Sequence, residues 1–142
     1  MTASPAGYSG TPLPRKLGIK PRHRVRFVAA PPEFADALGE LPPGVDVRAE
    51  DGEADLDLVV FFTMAEDELR ARYDGLAASL GPAGMLWVAW PKKASGVRTD
   101  VTEDVVRAVA LERGMVDTKV CAIDATWSGL RMVRRLADRP KR

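Results

Sequence analysis

The chain has 142 residues, 46% of them hydrophobic, which is enough for the core of one globular domain. Its single cysteine, Cys121, excludes an intrachain disulfide, and its longest apolar runs are strand-sized, far short of the roughly 20 residues a membrane-spanning helix needs. The formal net charge of +1 hides an uneven distribution, with a basic start, an acidic stretch after Glu33 and a basic end.

Arg15, Lys16, Lys20, Arg22, Arg24 and Arg26 all precede Glu33, the first acidic side chain. Between Glu33 and Asp57 only Arg48 opposes the carboxylates, and Arg131, Arg134, Arg135, Arg139, Lys141 and Arg142 close the chain. Such asymmetry attracts an acidic partner or keeps the ends solvated. No aromatic residue interleaves the last basic run, so there is no base-stacking platform and nucleic acid is not an expected partner. The start, Met1-Thr2-Ala3-Ser4-Pro5, lacks the basic-then-apolar order of a secretory signal, and a soluble cytoplasmic protein without membrane contact is expected.

Pro5, Gly7, Gly10, Pro12, Pro14 and Gly18 interrupt regular structure near the start, so residues 1–23 read as an extended arm laid across the domain by Tyr8, Leu13, Leu17 and Ile19. Residues 24–136 read as a single α/β domain and 137–142 as a basic tail. Val25 to Ala30 is a first strand, broken by Pro31-Pro32, and Pro32 to Leu38 a short helix with proline in its first turn. Pro42-Pro43-Gly44 turns the chain into a brief strand, Val45 to Arg48, followed by an acidic loop from Glu50 to Asp55.

Leu58-Val59-Val60-Phe61-Phe62 is apolar without alternation, as a strand covered on both faces requires. Leu69, Tyr73, Leu76, Ala77 and Leu80 recur at helical spacing, predicting an amphipathic helix from Glu66 to Leu80 stopped by Gly81-Pro82. Met85 to Trp90 is the next buried strand. Trp87 and Trp90, three apart, fall on opposite faces of it. A helix carrying Val101, Val105, Ala108 and Val109 ends at Gly114, and Asp100 with Glu103 matches a capping box at its start. The last strands, Lys119 to Ile123 and Leu130 to Arg134, are joined by too few residues for a crossover helix and must be antiparallel. The result is a three-layer Rossmann-like α/β fold: a mostly parallel sheet of about six strands with a C-terminal antiparallel hairpin.

Leu56-Asp57-Leu58-Val59-Val60, the turn Leu80-Gly81-Pro82-Ala83-Gly84-Met85-Leu86 and the terminal hairpin resemble class I methyltransferases over roughly Arg24 to Arg135. That resemblance implies adenosylmethionine bound at a glycine-rich turn after the first strand. This chain has Ala29-Ala30-Pro31-Pro32-Glu33 there, with no glycine and two residues lacking an amide N–H. A resemblance to domain-of-unknown-function family 3052, a bacterial family, covers nearly the whole chain. It rests on Gly7-Tyr8-Ser9-Gly10-Thr11-Pro12-Leu13, Trp90-Pro91-Lys92-Lys93-Ala94-Ser95-Gly96, Cys121-Ala122-Ile123-Asp124 and Thr126-Trp127-Ser128-Gly129-Leu130, and it implies a fold without an activity.

Ligands of open parallel sheets sit beyond the carboxyl ends of the strands. Lys92, Lys93 and Ser95 leave one strand there, and Asp124, Thr126, Trp127 and Ser128 come from the hairpin turn on the same side. These seven residues are the candidate ligand-binding set. They suit a small anionic metabolite or a protein partner, or else Lys92 or Lys93 pairs with Asp124 or Asp100 and braces the loops. Glu103 and Asp104 beside Asp100 repel phosphate from the following helix start, so any anion depends on the lysines. His23 has no second histidine or nearby cysteine for a zinc site or a nucleophile pair, and Cys121 lies in an apolar strand. No cofactor, metal or catalytic residue is expected. Two functional classes stay open: a non-catalytic or regulatory binding module on a degenerate methyltransferase-like scaffold, and a small enzyme or anionic-metabolite binder with a rim lysine as electrostatic catalyst and Asp124 as acid or base. The oligomeric state is not legible.

Overall fold

A computed structural model describes residues 11–48 and 55–135. Glu50 to Ala54 of the acidic loop, the tail 137–142 and the run Gly7 to Gly10 lie outside the described residues. Six strands form one sheet: β1 (Arg24–Val28), β2 (Asp46–Val47), β3 (Leu56–Phe62), β4 (Leu80–Pro91), β5 (Met115–Ala122) and β6 (Trp127–Arg134), in the order β2-β1-β3-β4-β6-β5. The pairs β1–β2, β1–β3 and β3–β4 are parallel, whereas β6 pairs antiparallel with β4 and β5. The sheet is therefore mixed, with the reversed strand at the predicted hairpin. Helices α1 (Leu13–Leu17) and α2 (Phe34–Leu38) cover one face, and α3 (Glu66–Ala78) and α4 (Glu103–Glu112) the other.

Burial on both faces explains the unbroken apolar run of β3, where Leu58 and Val60 pack toward α1 and α2, and Val59 and Phe61 toward α3 and α4. Trp87 and Trp90 divide in the same way between the two cores. Strand β4 starts earlier than the apolar pattern suggests, because Gly81 to Gly84 form an irregular strand entry, with a register shift opposite Leu56 and Leu58. Gly84 is required there: a Cβ would lie 2.7 Å from the carbonyl oxygen of Leu56. Arg134 places a cation at the negative end of α3, its guanidinium donating to Ala77 O in the last turn at 2.7 Å and to Gly81 O at the start of β4 at 2.8 Å.

The described part of the amino-terminal segment is not extended. Leu13–Leu17 is a helix of five residues with proline in its first turn, closed by Gly18 at φ 92. Leu13, Leu17 and Ile19 are buried, and the Trp87 indole N–H donates to the Leu17 carbonyl at 2.8 Å. Gly129 leaves the space this indole needs, since a Cβ there would sit 3.1 Å from Trp87 Cε3 and 3.2 Å from Ile123 Cδ1. Gly129→Ala is therefore expected to cost about 1–3 kcal/mol through overpacking. Chemical denaturation measures this, and a change below about 0.5 kcal/mol would show that the slot relaxes freely.

Candidate functional site

The parallel strands β1, β3 and β4 end on one rim, at Val28, Phe62 and Pro91. Strand β5 points the same way, because two antiparallel steps separate it from β4, so the turn between Ala122 and Trp127 stands on that rim too. Pro91 pairs with Trp127, and the Lys92 amide donates to Thr126 O at 2.7 Å. The lysine loop and the hairpin turn are thus joined by backbone.

Past this bond, Lys93–Ser95 form one 3-10 turn that ends at Gly96, φ 78. Ser95 is committed locally: its hydroxyl donates to Lys92 O at 2.6 Å and accepts from the Val97 amide at 3.2 Å. The chain then folds over the end of β3, where Thr99 Oγ1 donates to Met64 O at 2.6 Å. Asp100 does not cap the helix that follows it. Its Oδ1 accepts from the Glu66 amide at 2.7 Å, 34 residues back, satisfying a donor in the first turn of α3. Thr102 caps α4 instead, with its hydroxyl accepting from the Val105 amide. Glu103 and Asp104 remain in the first turn of α4 and are drawn to Arg107.

Asp124 and Trp127 serve the fold. Asp124 Oδ1 accepts from the amides of Thr126 and Trp127, both at 2.8 Å, which shapes the hairpin turn. Trp127 is 8% exposed and meets Phe62 edge-on at 5.2 Å. Phe34 extends this row, 4.9 Å from Phe62 and 5.2 Å from Phe27, so the indole placed in the candidate ligand-binding set is instead the end of an aromatic chain across the α1–α2 face. Bracing of the loops by a lysine with Asp124 or Asp100 does not occur either, since both carboxylates face backbone amides.

Lys93 is exposed, and Lys92, Thr126 and Ser128 are half-buried. Arg98, unnoticed in the sequence, stands exposed in the same loop. Among the described residues these three cations enter no ion pair; the pairs lie elsewhere, along α3 and α4 and at Arg48. Other titratable groups offer less. Burial pushes the Cys121 thiol up, against the pull of Lys16, Lys119 and Arg131, which disfavours the thiolate. His23 Nδ1 accepts from the Lys20 amide at 3.1 Å and fastens a turn. Among the described residues no three histidine, cysteine or carboxylate side chains are grouped to hold a metal.

The turn after β1 carries strain. Ala29 has φ 59, a left-handed conformation that glycine adopts without cost and that costs an alanine about 1–2 kcal/mol. Pro31 and Pro32 follow with no amide N–H, and Glu33 precedes α2.

No family model and no curated protein matches the chain, so the resemblance to family 3052 gains no support from them. Solved structures do match. A protein from Sulfolobus solfataricus assigned to the type 11 methyltransferases superposes with TM-score 0.62 at 12% identity, over 91% of this chain and 93% of that one. A SAM-dependent methyltransferase from Aquifex aeolicus gives 0.57 at 14%, over 84% and 86%. The 1,6-didemethyltoxoflavin-N1-methyltransferase of Burkholderia thailandensis, solved with S-adenosylhomocysteine, gives 0.55 at 14%, over 86% and 74%. The fold is methyltransferase-like. At such identities the likeness extends to the fold alone.

With its indole in the aromatic chain, Trp127→Ala should cost about 3–5 kcal/mol, whereas Lys93→Ala, on an exposed side chain, should stay within about 0.5 kcal/mol. Thermal melting separates the two, and an unchanged midpoint for Trp127→Ala would mean that the row does not support the rim.

Proposed function

We infer that this chain is a non-catalytic binding module on a methyltransferase-like scaffold, and that it takes up a small anionic molecule or an acidic protein segment through Lys92, Lys93 and Arg98, with Thr126 and Ser128 alongside. The observation that carries this reading is the turn after β1. It keeps a backbone conformation suited to glycine but fills it with Ala29, and two prolines follow where amide donors are needed to meet an incoming cofactor. These residues do not fit adenosylmethionine at a glycine-rich turn of the kind the methyltransferase resemblance implies. Chemistry on the rim is disfavoured by the same kind of commitment, because Asp124, the candidate acid or base, is held by two hairpin amides and Trp127 is packed away. What the rim keeps is positive charge on a short, tethered loop.

Pyrophosphate, a compact polyanion, is a suitable probe. Titrated into isotope-labelled protein at low salt, it should give saturable amide shifts at residues 92–98 and 126–128, and the Lys92→Ala/Lys93→Ala variant should lose them. Screening should abolish the effect in about 1 M salt, where the Debye length falls to about 3 Å. Shifts centred elsewhere, or unchanged in the double variant, would overturn the assignment of this rim.

A further inference from the structure

On the opposite rim, where β1 and β2 begin, the segment before β1 and the loop between α2 and β2 line an open groove of about 900 Å3. Its size is that of a small-molecule site. Five proline rings line it, those of Pro12, Pro14, Pro21, Pro42 and Pro43, and Ile19 and Leu41 join them. The three charged residues on it, Arg15, Lys20 and Glu40, are exposed, and among the described residues their side chains make no hydrogen bond or ion pair.

The lining is mostly apolar. Prolines present no amide N–H, and four of the five proline carbonyls are already engaged: Pro12 O accepts from Lys16 N, Pro14 O from Gly18 N and Ile19 N, Pro42 O from Val45 N and Pro43 O from Arg22 N. An occupant therefore meets mostly hydrocarbon along these walls. The Arg22–Pro43 bond, at 2.9 Å, ties one wall to the other, and the ring-fixed φ angles keep both walls in shape before anything binds, which lowers the ordering cost of association. The charge count decides the head group. Two cations face one carboxylate, leaving a net positive groove mouth that rejects a cationic ligand and favours one negative charge.

We propose that this groove binds a small organic anion with a flat apolar body and a single acidic group, the body lying against the proline rings and the acid directed to Arg15 and Lys20. The site is independent of the lysine rim and stands or falls separately from it.

The dye 8-anilinonaphthalene-1-sulfonate has this chemistry and reports its own burial by fluorescence. With the native protein at low salt it should show saturable binding of one dye per chain, and methyl resonances of Ile19 and Leu41 should shift. Arg15→Glu/Lys20→Glu changes two exposed side chains and should leave the melting midpoint close to native while weakening the dye at least roughly tenfold, about 1.4 kcal/mol. N-phenyl-1-naphthylamine, the same rings without the sulfonate, should also bind more weakly than the dye. Lys92→Ala/Lys93→Ala should bind the dye as the native protein does. The proposal is overturned by unsaturable fluorescence, by equal binding of the neutral analogue, by an Arg15→Glu/Lys20→Glu variant that binds like native, or by loss of the dye in the Lys92→Ala/Lys93→Ala variant.

Discussion

The indole N–H of Trp87 has one acceptor, the Leu17 carbonyl, and the placement of the segment before β1 depends on that bond. Trp87 sits in the middle of β4, opposite Val60 on β3 and Arg131 on β6, so it touches the parallel and antiparallel halves of the sheet together. A buried indole without a partner carries a desolvation penalty of about 1–3 kcal/mol, and a five-residue helix has little stability of its own. Each therefore needs the other. Gly129 provides the space, Arg131 lies 5.9 Å over the ring, and left-handed Gly18 ends the helix at the acceptor.

The same economy governs the carboxyl rim. Open α/β sheets offer loops there for a ligand, but most polar groups of this chain's rim hold the loops themselves. Asp124 shapes its own turn, Asp100 reaches α3, Thr99 grips Met64 and Ser95 closes on Lys92. Thr63 likewise donates to Glu68 at 2.6 Å. Charge remains available on Lys92, Lys93 and Arg98, groups too long and hydrated to be consumed by short-range turns.

Much of the fold was legible because its strongest signals are local. The apolar runs of β3 and β4, the helical spacing from Leu69 to Leu76 and the short link between Ile123 and Leu130 led to the three-layer fold and its reversed strand. Strand β5 was harder. Its first half, from Met115, is amphipathic and pairs with Arg134 and Val133, so no continuous apolar run announces it. The helix Leu13–Leu17 was hidden by its own prolines, since its stability comes from contacts with Trp87, 70 residues away. The capping box at Asp100 failed for a similar reason: the motif was present, but the carboxylate found a donor on another helix. At the candidate site, the rim location followed from strand polarity, whereas the roles of Asp124 and Trp127 depended on orientation, which a sequence does not carry. The left-handed Ala29 was equally silent, because nothing in Ala29-Ala30-Pro31 signals a positive φ.

In the proposed reading, the turn after β1, with its left-handed Ala29 followed by Pro31 and Pro32, does not take up adenosylmethionine. Calorimetric titration of the native protein with adenosylmethionine tests it most directly, with Ala29→Gly as the companion variant that relieves the backbone strain without restoring the missing amides of Pro31 and Pro32. The account predicts no saturable heat for either protein. Micromolar, stoichiometric binding by the native chain would contradict it and return the fold to the active methyltransferases it resembles.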